Sequence, residues 1–423
     1  MAQLSSDMFA CGGEMLPVDE ALALVGRNVR PVPEVESVTL LDAEGRFLAQ
    51  DIVAPINLPP FFNSAVDGYA VRFADLAPAG ETILPIGARI AAGEKGTPRA
   101  VKRQGVRIFT GAPMPPGLDT VFMQEDVRLS GNNVVLPQGL KAGSNCRPAG
   151  EDIRAGALAL AAGRVMTPEC IALAAALGVS SIPVRRRIRV AVFSTGNEVV
   201  SPGVALGEAQ IYDANRFLLQ ALLRRLGTDI TDFGIVRDDR AATERALREA
   251  ATVNDVIITS GGVSTGEEDL VKAAVENVGS LMFWRLAVKP GRPVAMGIIP
   301  SSVAGEGAAF VGLPGNPVAV FVTFAHLVRP LLTALSGGQP SAPVALPVKV
   351  AFPYRKKANR REYVRVALRT TPEGVIEAVK HPQDGAGVLT SLTQTDGLVE
   401  LREGVESVAP GDTVGFLSYA LLR

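Results

Sequence analysis

The sequence predicts a multidomain α/β and β protein, in which a three-layer α/β domain with a mostly parallel sheet lies between β-rich stretches. Three observations carry this. From Ile188 to Leu332, short apolar runs alternate with helical patterns, the grammar of parallel strands joined by crossover helices. Residues 72–145 and 344–417 instead read as short strands broken by turns. Finally, 423 residues with 43 glycines and 30 prolines suit roughly two to four domains built from short elements.

The composition narrows the function classes. A hydrophobic content of 47% supports large cores, and a net charge of −1 argues against a general nucleic-acid or membrane-surface binder. Cys11, Cys146 and Cys170 are far apart, the histidines are His326 and His381, and no CxxC or HExxH spacing occurs. A structural zinc, a His-ligated metal and a disulfide framework are therefore not expected, in keeping with a reducing cytoplasm. The N-terminus MAQLSSDMFACGGEM lacks a basic stretch followed by an apolar one, so no leader is expected. The longest apolar segment, Phe310 to Leu332, is interrupted by Gly312-Leu313-Pro314-Gly315-Asn316-Pro317. What remains reads as a buried helix, too short for a membrane span.

In chain order, Pro17 to Val29 places Val18, Ala21, Leu22 and Val25 on one helical face, with Asp19 and Glu20 in the first turn where the helix dipole favours them. Residues 35–54 read as a hairpin, Val35 to Leu41 and Phe47 to Val53 around Asp42-Ala43-Glu44-Gly45. In the run LPPFFNSAVDGYAV that follows, Asn63, Ser64 and Asp67 interrupt apolar positions, and an acid there needs a partner or exposure. Strands are expected at Thr82 to Ile86, Val106 to Thr110, Thr120 to Met123 and Val134 to Leu136. Cys146-Arg147-Pro148 leads to Asp152; Arg147 could bind phosphate and Asp152 a cation, but spacing alone favours a surface salt-bridge loop. Residues 168–177 form a short helix ending at Gly178, and Arg185-Arg186-Arg187 reads as a solvated basic boundary.

The α/β grammar then gives strands at Val190 to Phe193, Ile230 to Val236, Asp255 to Ile258, Met282 to Val288, Val294 to Ile298 and Ala308 to Leu313. Helices are expected at Arg216 to Leu226, Ala241 to Ala251 and Val318 to Leu332. In such sheets ligands collect beyond the C-terminal strand ends. Ser194 to Glu198, Asp238, Gly261 to Asp269 and Pro314 to Asn316 all fall there. The stretch DVIITSGGVSTGEED is the richest of them. Its glycines would let backbone N–H groups approach an anion, and its acids could hold a cation beside it. After Ser336-Gly337-Gly338-Gln339-Pro340 come Val344 to Ala351, Glu362 to Leu368, Gly374 to Ala378 and Thr413 to Leu417, suggesting a small barrel with a basic loop from Arg355 to Arg361.

Together, NSAVDGYAV, FTGAPMP, GEDI, STGNE, IYDAN, TSGGVSTGEED, VKPGRP and GLPGNPVA occur in this order. The chain thereby resembles the MoeA family, molybdopterin molybdenumtransferase, related to the C-terminal E domain of gephyrin, from about Leu16 to the C-terminus. The resemblance implies four domains: 1–54 with 147–185 as a discontinuous linker and dimerisation domain, 55–146 as an inserted β domain, 186–335 as the α/β molybdopterin-binding domain, and 340–423 as a C-terminal barrel. It implies a cytoplasmic homodimer that takes adenylylated molybdopterin and molybdate, releases AMP with help from Mg2+, leaves molybdenum on the dithiolene and hands the product to molybdenum-enzyme maturation partners.

Carried residue by residue, the resemblance puts Asp67, Thr110, Asp152, Glu198, Asp238 and Asp269 in catalytic positions, with Glu198, Asp238 and Asp269 also as metal ligands. It gives substrate-binding positions to Arg147, Ser194, Thr195, Gly196, Gly261, Gly262, Ser264, Arg285, Lys289, Arg292, Pro314, Asn316, Arg360 and Ser391. Cations suit a polyanionic substrate, and Mg2+ needs carboxylates and waters. Three positions depart from the family pattern: Asn197 stands where Asp is common, Thr265 where Val is, and Arg285 where Lys is. Two other readings are a molybdopterin adenylyltransferase, which would consume ATP, and a non-catalytic molybdopterin-binding scaffold or carrier.

Overall fold

The computed structural model describes residues 15–94, 101–262, 270–291, 293–301 and 307–422. A seven-stranded sheet organises the α/β domain, in spatial order Met15–Leu16, Ser280–Leu286, Pro293–Ile299, Ala308–Leu313, Val256–Ser260, Arg189–Thr195 and Asp229–Val236. It is mostly parallel; only Pro293–Ile299 runs against its neighbours. Alternation along the central strands sends side chains to two separate cores. Val190, Val192, Val256 and Ile258 pack under helices Val18–Asn28, Asn215–Arg225 and the segment Pro317–Leu335, while Ala191, Phe193 and Ile257 pack under Arg240–Val253 and Leu270–Val278. The three layers follow directly. Asp239 caps its helix by accepting from the Ala242 amide at 2.6 Å, an interaction worth about 1 kcal/mol.

Pro317–Leu335 is helical throughout, with a π turn at Phe324–Val328. At 19 residues and a mean hydropathy of 1.8 it is long and apolar enough to cross a membrane, which corrects the expectation from length. Burial decides its role instead: 89% of its apolar window is inside the protein, so it is a core helix.

The expected hairpin over 35–54 does not form. Val35–Thr39 pairs antiparallel with Ser181–Arg185, and Ile52–Val53 with Leu158–Leu160. A 3-10 turn at Leu40–Asp42 breaks the first strand, and the apolar partners lie over a hundred residues away in sequence, where Leu48, Ile52, Met166, Ile182 and Val184 share a core. The basic boundary is also not simply solvated. Arg186 donates to both oxygens of Asp255, at 2.6 and 2.8 Å, and anchors the strand entry.

Between these paired segments is a six-stranded sheet ordered Thr120–Met123, Gly68–Val71, Gly105–Ile108, Thr82–Ile90, Asn133–Leu136 and Arg128–Ser130. Both its faces are apolar, with Tyr69 and Val71 on one and Ala70 on the other. At the C-terminus five strands close a barrel: Leu346–Val350, Arg361–Thr370, Ile376–Lys380, Gly397–Leu401 and Thr413–Ser418. Its first long strand docks on the α/β domain, because Val288–Lys289 pairs in parallel with Arg361 and Glu362.

Candidate active site

The C-terminal edge of the α/β sheet gathers most of the residues expected there. The Ser194 hydroxyl donates to Asp213 Oδ1 at 2.9 Å, and Arg216 Nε reaches Asp213 Oδ2 at 2.9 Å, so a buried ion pair fixes this strand end. Gly196 has φ +136°, and a Cβ on it would lie 2.6 Å from Glu198 Oε2. The Glu198 carboxylate therefore folds over a position only glycine leaves open. Asn197 and Asp238 clasp each other across two strand ends: the Asn197 amide donates to Asp238 Oδ2 at 3.1 Å, and the Asp238 amide to Asn197 Oδ1 at 3.3 Å. Asn197 thus holds Asp238 in place with a neutral side chain.

Gly261 and Gly262 follow the next strand with φ +94° and +67°. A Cβ on the first would meet the Thr195 carbonyl at 2.7 Å, and on the second Val271 Cγ2 at 2.3 Å. Thr195 Oγ1 is buried beneath this turn without a hydrogen-bond partner among the described residues. Asn215 Nδ2 ties the rim together by donating to Ser260 Oγ at 2.8 Å and the Gly315 carbonyl at 2.7 Å. Ser264, Asp269 and Arg292 lie outside the described residues.

Pro314 and Asn316 continue the rim into a cavity of about 380 Å³ between the α/β domain and the barrel. Lys289, Arg360 and Arg365 bring positive charge to it. Glu362, 1% exposed, accepts from Arg360 Nε at 2.7 Å, Tyr354 Oη at 2.8 Å and Lys289 Nζ at 3.2 Å. Burial raises its carboxyl pKa, but these donors and cations outweigh that and leave it below the usual range. Arg365 donates through Nε to Ser391 Oγ at 3.0 Å. Ser391 is fully buried and also donates to the Val388 carbonyl at 2.6 Å, so it stands behind Arg365 rather than facing the cavity. Sequence reasoning missed Tyr354, Glu362 and Arg365. An acid inside a strand whose neighbours are buried was the available signal for Glu362. Arg285 is exposed at the same sheet edge, near the end of its strand.

The other expected residues sit elsewhere in the chain. Thr110 donates both its amide, at 2.8 Å, and its hydroxyl, at 2.7 Å, to Asp67 Oδ1, leaving Oδ2 available among the described residues. These two bonds, backbone first, hold the Asp67 carboxyl below its usual range, helped by the Arg107 charge. Arg147 and Asp152 are exposed at the stem of the inserted domain, where Arg147 pairs in register with Asn63 and the Asp152 amide donates to the Leu58 carbonyl. Among the described residues, the hydrogen bonds of Asp67, Thr110 and Asp152 stay within the inserted domain and its stem.

A mostly parallel sheet whose strand ends carry glycine turns, carboxylates and a cationic cavity defines a protein built to bind an anionic substrate. Comparison with known proteins sharpens this. Residues 16–178 match the MoeA N-terminal region (domain I and II), 191–334 a probable molybdopterin binding domain, and 347–419 the MoeA C-terminal region (domain IV). The chain is 36% identical over 402 residues to a molybdopterin molybdenumtransferase of Haemophilus influenzae, covering 95% of this chain and 98% of that one. A Nostoc protein of the same description is 35% identical, covering 90% and 88%. A crystal structure of a molybdopterin biosynthesis MoeA protein from Pyrococcus horikoshii superposes with a TM-score of 0.74 at 31% identity, covering 96% and 99%. The chain belongs to the MoeA family of molybdopterin molybdenumtransferases.

Proposed function

We propose that this enzyme inserts molybdenum into adenylylated molybdopterin, cleaving the phosphoanhydride and releasing AMP. The observation that carries the reading is the continuity of two sites. Glycine turns and carboxylates at the strand ends run through Pro314 and Asn316 into the Lys289–Arg360–Arg365 cavity. A phosphorylated pterin suits the first, where small residues let backbone approach it. A tetrahedral dianion such as molybdate suits the second, where three cations supply donors in a partly dry setting.

Glu198 and Asp238 fit a divalent cation of the magnesium type. Such an ion keeps several waters and takes one or two carboxylates together with substrate phosphates, and Glu198 lies in the space a Cβ at position 196 would fill. Among the described residues no cluster of three or more His, Cys, Asp or Glu suits a metal; Asp269, the third expected ligand, lies outside them. Bound there, Mg2+ would neutralise charge on the phosphoanhydride. Asp67, held ionised by Thr110, is the acid–base or orienting group, with Arg147 and Asp152 contributing from the stem of the inserted domain. Because Asp67 and Thr110 belong to the inserted domain, we propose a homodimer in which that domain of one protomer completes the α/β cleft of its partner; a cytoplasmic setting is part of the same proposal. Release of the finished cofactor to maturation partners follows.

The test is AMP release by the purified protein from adenylylated molybdopterin, with molybdate or tungstate and with or without Mg2+. The reading expects release that depends on both oxyanion and cation. ATP consumption with unadenylylated molybdopterin would instead identify an adenylyltransferase, and tight pterin binding without AMP release a carrier.

A further inference from the structure

Glu362 is a carboxylate in the wall of a cavity that the proposed function gives to an oxyanion. Its side chain is 1% exposed, and both oxygens are engaged. Arg360 occupies Oε1 with Nε at 2.7 Å and Nη2 at 2.5 Å; Tyr354 Oη and Lys289 Nζ occupy Oε2 at 2.8 and 3.2 Å. As a charge alone, Glu362 would repel an incoming dianion and weaken its binding. Its contacts indicate the opposite role. Lys289 comes from the α/β domain and Arg360 from the barrel, and this carboxylate takes hydrogen bonds from both across the junction where Val288–Lys289 pairs with Arg361 and Glu362. Neither cation is used up. Lys289 has three donors, with Tyr354 Oη and Glu362 each near its Nζ, and Arg360 has five N–H groups, of which Glu362 takes two.

We infer that Glu362 is a positioning residue for oxyanion capture. It clamps the Lys289 ammonium and the Arg360 guanidinium across the domain junction so that their remaining donors are preorganised before the dianion arrives. The inference rests on the oxyanion reading of this cavity. It gives a sign that a bare-charge role does not. Glu362→Gln adds a unit of positive charge to the cavity yet replaces one acceptor oxygen by an NH2 donor that faces other donors, so one side of the clamp fails. Glu362→Asp keeps the charge but is one methylene too short to reach both cations.

The experiment is calorimetric titration of the full-length protein with inorganic molybdate, using the wild type, Glu362→Gln, Glu362→Asp and Arg360→Ala, each checked for fold by circular dichroism. Glu362→Gln is expected to weaken molybdate binding about tenfold or more and Glu362→Asp several-fold. In turnover the loss is expected in KM for molybdate, with kcat at saturating molybdate retained. Equal or tighter binding by Glu362→Gln overturns the inference. Should that variant not fold, wild-type affinity in Glu362→Asp overturns it equally. Absence of molybdate binding by the wild type, or wild-type binding by Arg360→Ala, would instead remove the oxyanion reading of the cavity itself.

Discussion

Ser391→Ala separates a residue that touches substrate from one that supports such a residue. The Ser391 hydroxyl accepts from Arg365 Nε at 3.0 Å and donates to the Val388 carbonyl at 2.6 Å. Arg365 is 5% exposed, and its Nη2 donates to the Gln383 and Gly385 carbonyls at 3.1 Å each. Alanine removes one hydrogen bond to a charged donor, worth about 1.5–3 kcal/mol. The Val388 carbonyl keeps the Ser391 amide at 3.1 Å, and the void is a single hydroxyl, so the other terms are small. The expected loss of stability is about 2 kcal/mol, read as a lower urea midpoint by circular dichroism. Two of three anchors still hold the guanidinium, so molybdate affinity should fall by less than about tenfold, or 1.4 kcal/mol. An unchanged midpoint with molybdate binding abolished would refute this and put Ser391 in direct contact with the ligand.

Further outcomes can be checked in parallel. Asp67→Ala and Glu198→Ala should each leave the fold intact by circular dichroism and stop AMP release; normal turnover by both would remove them from the site. Thr110→Val takes away the hydroxyl donor but not the amide, so the Asp67 carboxyl should titrate at higher pH than in the wild type, as read by carbon-13 NMR of labelled aspartate. Gly262→Ala places a Cβ 2.3 Å from Val271 Cγ2 at φ +67°, and should destabilise the protein by roughly 1–3 kcal/mol in urea unfolding; no change would mean the turn relaxes freely. Burial lowers the His326 pKa from 6.5 to about 3, and Arg361 and Arg329 add to this. Between those values the unfolded chain binds the extra proton, so stability falls as pH drops from about 6.5 toward 3. Urea unfolding at several pH values should show this slope reduced in His326→Phe.

Much of this architecture was legible because local patterns and packing agree. The strands Thr120–Met123 and Ala308–Leu313 follow their apolar runs residue for residue, and Val190 and Ala191 go to opposite cores as alternation requires. The strand ends were legible for the same reason, since a βα connection fixes which end is which. What was not legible depends on distant partners. Val35–Thr39 looks like half of a local hairpin, yet its partner is Ser181–Arg185. In sequence Arg361 reads as the end of a basic loop and Glu362 as the start of a strand. In the fold Glu362 anchors two cations at the cavity, while Arg361 is buried against Asp19, Glu400 and Glu403. Motif matching named Ser391, but only the folded barrel shows that Arg365 lies between it and the cavity.

Complementation directly tests the proposed cleft assembled from two protomers. Purified Asp67→Ala and Glu198→Ala proteins, each inactive alone, would be unfolded together, refolded as a mixture and assayed for molybdate-dependent AMP release. With Asp67 and Glu198 contributed by different protomers, each mixed dimer contains one site with neither substitution, and activity should return. A folded, dimeric mixture that has exchanged subunits and stays inactive would contradict the shared cleft.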